Sequence, residues 1–189
     1  MVFLKQRKVI LQTLHFLQQQ KNNQDSWSIS CRLGKVLAEL IYIYSPKNIL
    51  EIGTSIGFST LHMASELLDD AQITSVEIND VRFSQANKTV SSCLIDSHVT
   101  LILGNFYDLL EKLGKNAPFD FLFLDALQPQ YLEVIELCLE KNLLISGSVV
   151  VCDNILSHSY MDDFEKKVSL LAKTVRRIDL DSGFLIIEF

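Results

Sequence analysis

The spacing of apolar residues changes period several times along the chain. Residues 2–20 place Val2, Phe3, Val9, Ile10, Leu14 and Leu17 on one side of an amphipathic helix. The polar stretch KNNQDSWS interrupts that pattern. Ser30 then stands where an N-cap opens a second helix that turns Leu33, Val36, Leu37, Leu40 and Ile41 inward. Ser45-Pro46 ends it, because proline disfavours helical backbone in the residue before it. From there apolar runs at 48–52, 73–77, 98–103, 119–124 and 148–152 alternate with helical patterns near 58–68, 80–92, 106–114 and 129–141. Asn79 and Pro129 suit helix starts. Alternating strands and helices predict a parallel sheet covered on both faces, and FLFL and SVVVC have the continuous apolarity of central strands. A helix near 160–172 then leads to a strand near 174–180, and Asp181-Ser182-Gly183 turns directly into FLIIEF. So short a turn cannot make a parallel crossover, so these last strands form a hairpin.

Composition narrows this picture. With 189 residues, 48% of them apolar, and no repeat or linker, the chain reads as one domain over 1–189: a helical segment at 1–45 and an α/β core at 46–189. No apolar run approaches the roughly 20 residues that span a bilayer. The opening MVFLKQRKVILQTL lacks the apolar core of a signal peptide, so the reading is cytoplasmic, with no membrane partner. Cys31, Cys93, Cys138 and Cys152 form no close pair, which fits free thiols better than zinc or disulfides. The net charge of −6 is uneven: residues 1–50 carry +5 and the remainder −11. Lys5, Arg7 and Lys8 either face an anionic partner or simply solvate a helix.

Ligands of an open α/β sheet bind beyond the carboxyl ends of its strands, so the residues following each strand carry the candidate chemistry. ILEIGTSIGFST places Gly53 and Gly57 between a strand and a helix, either as a ligand-binding turn or as a tight turn alone. Glu77 ends the second strand, where a carboxylate can accept ribose hydroxyls or serve as a helix-entry charge. Gly104-Asn105-Phe106 follows the third strand, as a frame for a flat base or as turn chemistry. Asp125, Asp153 and Asn154 follow the fourth and fifth strands. They offer three hard oxygen ligands for a divalent cation such as Mg²⁺, or caps for the next helices. The G-x-x-x-G spacing, the missing Walker lysine and the missing serine elbow exclude the common dinucleotide, P-loop and hydrolase motifs.

Taken in order, ILEIGTSIGFST, SVEIND, LGNFYD, FDFLFLDALQPQY and VVVCDNIL resemble class I S-adenosylmethionine-dependent methyltransferases. More narrowly, they resemble the cation-dependent O-methyltransferases of the catechol and caffeoyl-CoA type, over roughly residues 25–189. The resemblance implies a Rossmann-like sheet of seven strands, the last antiparallel, with helices on both faces. It implies that Glu51, Gly53, Gly57 and Ser59 form the cofactor's methionine pocket and that Glu77 holds the ribose. Ile78 and Phe106 would flank the adenine, with Asp125 bordering the pocket. Asp125, Asp153 and Asn154 match the metal ligands. In that mechanism the metal lowers a substrate hydroxyl's pKa and the oxyanion attacks the methyl in line.

Two departures bear on function. Gln128 stands where the family usually has a catalytic lysine, and an amide is no base at neutral pH. His158 is an alternative base or a surface-loop histidine. The segment after Asn154 is shorter than the family's substrate-covering insertion, which suits a bulky substrate or a lid from a partner subunit, such as a homodimer's. Three functions follow. The first is O-methylation of a small catechol-like aromatic. The second is O-methylation of a tRNA hydroxyuridine, and the third is cofactor binding with weakened or lost catalysis.

Overall fold

Five apolar runs form parallel strands: β1 (Asn48–Ile52), β2 (Gln72–Glu77), β3 (Val99–Leu103), β4 (Phe119–Leu124) and β5 (Leu144–Cys152). With β6 (Thr174–Ile178) and β7 (Phe184–Glu188) they make one seven-stranded sheet in the order β3-β2-β1-β4-β5-β7-β6. β7 lies antiparallel to both β5 and β6, which is the expected terminal hairpin. The strand order reverses between β1 and β4, the switch point at which such sheets open a crevice for a ligand. This computed structural model describes residues 2–21 and 29–189, with side chains at 5–19 and 29–189. The polar break at 22–28 and the side chains of Val2 and Phe3 lie outside the described residues.

Side-chain alternation sorts the buried residues onto the two sheet faces. Ile49, Phe121, Phe123, Val149 and Val151 point toward α1 (Val2–Lys21), α2 (Cys31–Tyr44) and α3 (Phe58–Ala64). Leu50, Leu122, Leu124, Val150 and Cys152 point toward α5 (Phe106–Gly114), α6 (Tyr131–Glu140) and α7 (Met161–Val168). α4 (Asp80–Ser92) adds Val90 to the first cluster. Each fully buried phenylalanine or leucine stabilises the fold by about 1.5–3 kcal/mol relative to exposure. Ile10 and Leu14 of α1 join the first core directly, while Leu11 and Phe16 stay about half exposed.

Most elements match the pattern read from spacing, and the departures have local causes. α3 stops at Ala64 rather than 68, and the backbone turns through Leu67 and Ala71 into β2. Pro129 sits in a 3₁₀ turn at Gln128–Gln130, so α6 begins at Tyr131. α7 closes at Val168, and β6 ends at Ile178. β5 reaches back to Leu144, pairing with Phe119 across an irregular register.

Candidate functional site

The carboxyl ends of β1 and β4 touch. Asp125 N–H donates to the Ile52 carbonyl at 3.0 Å, and a Cβ on Gly53 would lie 2.0 Å from the Asp125 carbonyl oxygen. Gly53 also has φ +104, a conformation that side chains disfavour. Glycine there lets the two loops approach. Gly57, with φ +86, opens α3.

Beneath this loop Glu51 is completely buried. Its carboxylate accepts hydrogen bonds from the hydroxyls of Ser59, Thr60 and Ser75. Burial raises its pKa; the three hydroxyls oppose that shift and the charge of Glu77 adds to it. The Ser59 hydroxyl therefore donates to Glu51 rather than standing open at the surface. Ser75 is Glu51's register partner on β2 and contacts Thr54 Oγ1 at 2.5 Å.

Glu77 ties two loops together. Its Oε2 accepts Ser55 N–H at 2.7 Å and its Oε1 accepts Asn79 N–H at 2.8 Å. Asn79, not Glu77, supplies the side-chain cap of α4, taking Arg82 N–H at 2.9 Å, while Glu77 holds the backbone N–H of that cap residue. Ile78 beside it is 68% exposed, whereas Phe106 is 5% exposed and edge-on to Tyr107. Asn105 caps α5 through Tyr107 N–H at 3.0 Å, which is the turn role for that amide.

At the ends of β4 and β5, Asn154 Nδ2 donates to Asp125 Oδ1 at 3.0 Å. Asp153 is 2% exposed, and its Oδ1 accepts Asn154 N–H at 2.6 Å and Ser182 Oγ–H at 2.7 Å. None of the three caps a helix: the residues opening the 3₁₀ turn and α7 are Leu127 and Tyr160, without side-chain caps. Among the described residues no three His, Cys, Asp or Glu side chains stand together as a metal cluster. A cation at this edge would therefore take two carboxylates and the Asn154 amide oxygen, a hard-oxygen set that fits Mg²⁺ or Ca²⁺ chemistry. Gln128, half-buried, opens the 3₁₀ turn nearby. His158 is exposed and stacks on Tyr160 with ring centroids 5.0 Å apart, the surface-loop arrangement.

Four residues here escaped the sequence reading. Thr60 and Ser75 hold Glu51, and Ser182 holds Asp153. Tyr131 is buried under Asp125, its hydroxyl accepting Ala126 N–H at 3.3 Å and its pKa pushed well up by burial and by the charge of Asp125. Ser75 left no distinct signal, because Thr74 beside it carries a hydroxyl too and only strand register sets Ser75 against Glu51.

Comparison with known proteins adds to this geometry. A family model described as O-methyltransferase matches residues 5–184. The catechol O-methyltransferase of Niastella koreensis is 33% identical over 131 residues, covering 68% of this chain and 58% of that protein. The catechol O-methyltransferase of Sus scrofa is 29% identical over 126 residues, covering 65% of this chain and 68% of that protein. The chain thus spans little more than half the length of the first of these relatives. The O-methyltransferase TomG from Streptomyces achromogenes, solved with S-adenosylmethionine, shares the fold at TM-score 0.78 and 22% identity, covering 95% of this chain and 88% of its own. An O-methyltransferase from Bacillus cereus, solved with S-adenosylhomocysteine, does so at TM-score 0.78 and 23% identity, covering 95% and 90%. Because the family pattern runs through nearly the whole chain and through every strand but the last, this protein belongs to the O-methyltransferase family.

Proposed function

We propose that the protein, acting as a single domain, transfers a methyl group from S-adenosylmethionine to a hydroxyl of a small catechol-like aromatic with the help of a divalent cation. One observation carries the reading: a carboxylate held by two backbone N–H groups, Glu77, shares the sheet's switch-point edge with the Asp125–Asp153–Asn154 oxygen set. Glu77 would accept the ribose hydroxyls, with Ile78 and Phe106 beside the adenine. The Gly53–Gly57 turn over Glu51 and Ser59 would receive the methionine end. Asp125, Asp153 and Asn154 would hold Mg²⁺. That ion, when bound, supplies the charge that lowers the pKa of a substrate hydroxyl. The chain's own part is orientation: one of two neighbouring hydroxyls, held with its oxygen in line with the methyl carbon and the departing sulfur of S-adenosylhomocysteine, makes the reaction effectively unimolecular.

Calorimetric titration with S-adenosylmethionine tests the foundation, and no binding at millimolar cofactor would sink it. Glu77→Ala should weaken binding by at least about tenfold, as expected for loss of a charge-assisted hydrogen-bonding partner. Methylation of a catechol panel in Mg²⁺ and in EDTA tests the metal, and chelator-insensitive turnover would refute it.

Gln128 supports a second reading, a cofactor-binding protein with weakened catalysis, because no amide removes a proton from a hydroxyl. Gln128→Lys separates the two. A gain of roughly 10²-fold in catechol methylation marks an enzyme short of its base. Cofactor binding without any turnover marks a binding protein.

A further inference from the structure

The turn between β6 and β7 lies against the loop that follows β5. Ser182 Oγ–H donates to Asp153 Oδ1 at 2.7 Å, and Leu156 N–H donates to the Ser182 carbonyl at 2.9 Å. Ile155 N–H reaches the Gly183 carbonyl at 3.4 Å. A Cβ on Gly183, whose φ is +77, would come within 2.6 Å of Leu156 Cγ and 2.9 Å of Ile155 Cγ1, so the two loops leave no room between them. The turn is anchored from its other side as well. Asp181, with φ +54, accepts from Arg32 Nη1 at 3.0 Å and from the Ser30 hydroxyl. Ser30 in turn caps α2 through Leu33 N–H at 3.0 Å. One chain of polar contacts therefore joins the start of α2, the hairpin and the metal-edge loop.

A hairpin turn needs Gly183 and a left-handed residue at 181; it does not need a hydroxyl aimed at Asp153. Asp153 is almost fully buried, and a buried carboxylate is costly without donors. Ser182 Oγ–H and the Asn154 N–H both meet the same oxygen, Oδ1, which sets the rotation of the carboxyl group about its Cβ–Cγ bond. We infer that Ser182 is a positioning residue: with the Asp181-anchored turn, it holds Asp153 in the orientation used to bind a divalent cation. The inference rests on the metal reading of Asp125, Asp153 and Asn154. Hydrogen-bond partners of metal ligands commonly contribute 10- to 100-fold in metal affinity.

The test is titration of the full chain with Mn²⁺ alone by calorimetry, with S-adenosylhomocysteine affinity and melting temperature in EDTA measured beside it. Wild-type protein should bind Mn²⁺ and Asp153→Asn should not. If wild-type protein binds no Mn²⁺, the metal reading falls and the inference falls with it. If it binds, Ser182→Ala should weaken Mn²⁺ affinity by about 10- to 100-fold and leave S-adenosylhomocysteine affinity within about twofold. Ser182→Thr, which keeps the hydroxyl, should restore most of the loss. Arg32→Ala, which removes one of the two side-chain anchors on Asp181 without touching Asp153, should weaken Mn²⁺ binding in the same direction by several-fold. Mn²⁺ affinity in Ser182→Ala equal to wild type overturns the inference while leaving the metal reading intact. So does an equal loss of affinity for both ligands. Should Ser182→Ala fail to fold, unchanged Mn²⁺ affinity in Arg32→Ala overturns it.

Discussion

Glu51 shows how much a residue's chemistry depends on its place. Burial raises its pKa against three donating hydroxyls. A folded-state pKa above the unfolded value means that folding favours the protonated acid. The stability Glu51 contributes is full below the unfolded value and is lost as pH rises through the folded one. Glu51→Gln should therefore flatten the decline in stability as pH rises above the ordinary carboxylate range, measured by thermal melts of both proteins. A pH-independent difference between them would contradict this. Gly53→Ala meets the Asp125 carbonyl and a left-handed φ, so it should cost more than about 2 kcal/mol in urea unfolding. The thiols differ in the same local way. Burial pushes Cys138 up to about 12 and Cys152 well above its ordinary value, whereas Cys31 is half-buried. At pH 8 only about one Cys138 in 10⁴ is thiolate, so a disulfide reagent should label Cys31 first and the buried thiols only on unfolding. At this scale Glu51 was legible only through the family resemblance of ILEIGTSIGFST. Its partner Ser75 was not, because the pairing depends on the register of two strands.

Capping is the most local of element-scale signals, and it was legible at Ser30 and Asn79, whereas Asn105 read only as a base frame or a turn. Ser30, Asn79 and Asn105 each accept a backbone N–H in the first turn of the helix they precede. Asn79 also separates stability from binding, because its side chain caps α4 while its backbone N–H holds Glu77. Asn79→Ala removes only the first. It should cost about 1 kcal/mol, or roughly 2–4 °C in melting temperature, and leave S-adenosylhomocysteine affinity unchanged in calorimetry. A large loss of affinity would mean that the side chain, and not the backbone, sets Glu77. Element ends governed by distant partners were less legible. β5 starts at Leu144 because Phe119 of β4 lies opposite it, and α6 waits for Tyr131 because Pro129 is taken up in the 3₁₀ turn. The first cause lies outside any window of neighbouring residues; the second is local, a helix-start proline spent in the 3₁₀ turn instead.

At the scale of the whole molecule, the sheet order brings the ends of β1, β2, β4 and β5 to one edge, and alternating spacing sufficed to anticipate that. Charge behaved differently. The basic excess of residues 1–50 is reduced in space, because three of its seven bases pair with acids from the rest of the chain. Arg7 meets Glu66, Arg32 meets Asp181 and Lys47 meets Asp70. Sequence order separates these partners by more than twenty residues each, so no composition count could cancel them. This bears on the tRNA reading, which drew its support from Lys5, Arg7 and Lys8. Arg7 is engaged with Glu66, and a net charge of −6 repels a polyanion at long range. Each phosphate neutralised contributes about 0.7–0.9 to the slope of log affinity against log salt. Lys5 and Lys8 alone would give a slope shallower than about −2 and affinity too weak to measure by filter binding near 0.15 M salt. A slope steeper than about −4 with micromolar affinity at that salt would require a basic surface larger than Lys5 and Lys8 supply, and would move the substrate from a small aromatic to RNA.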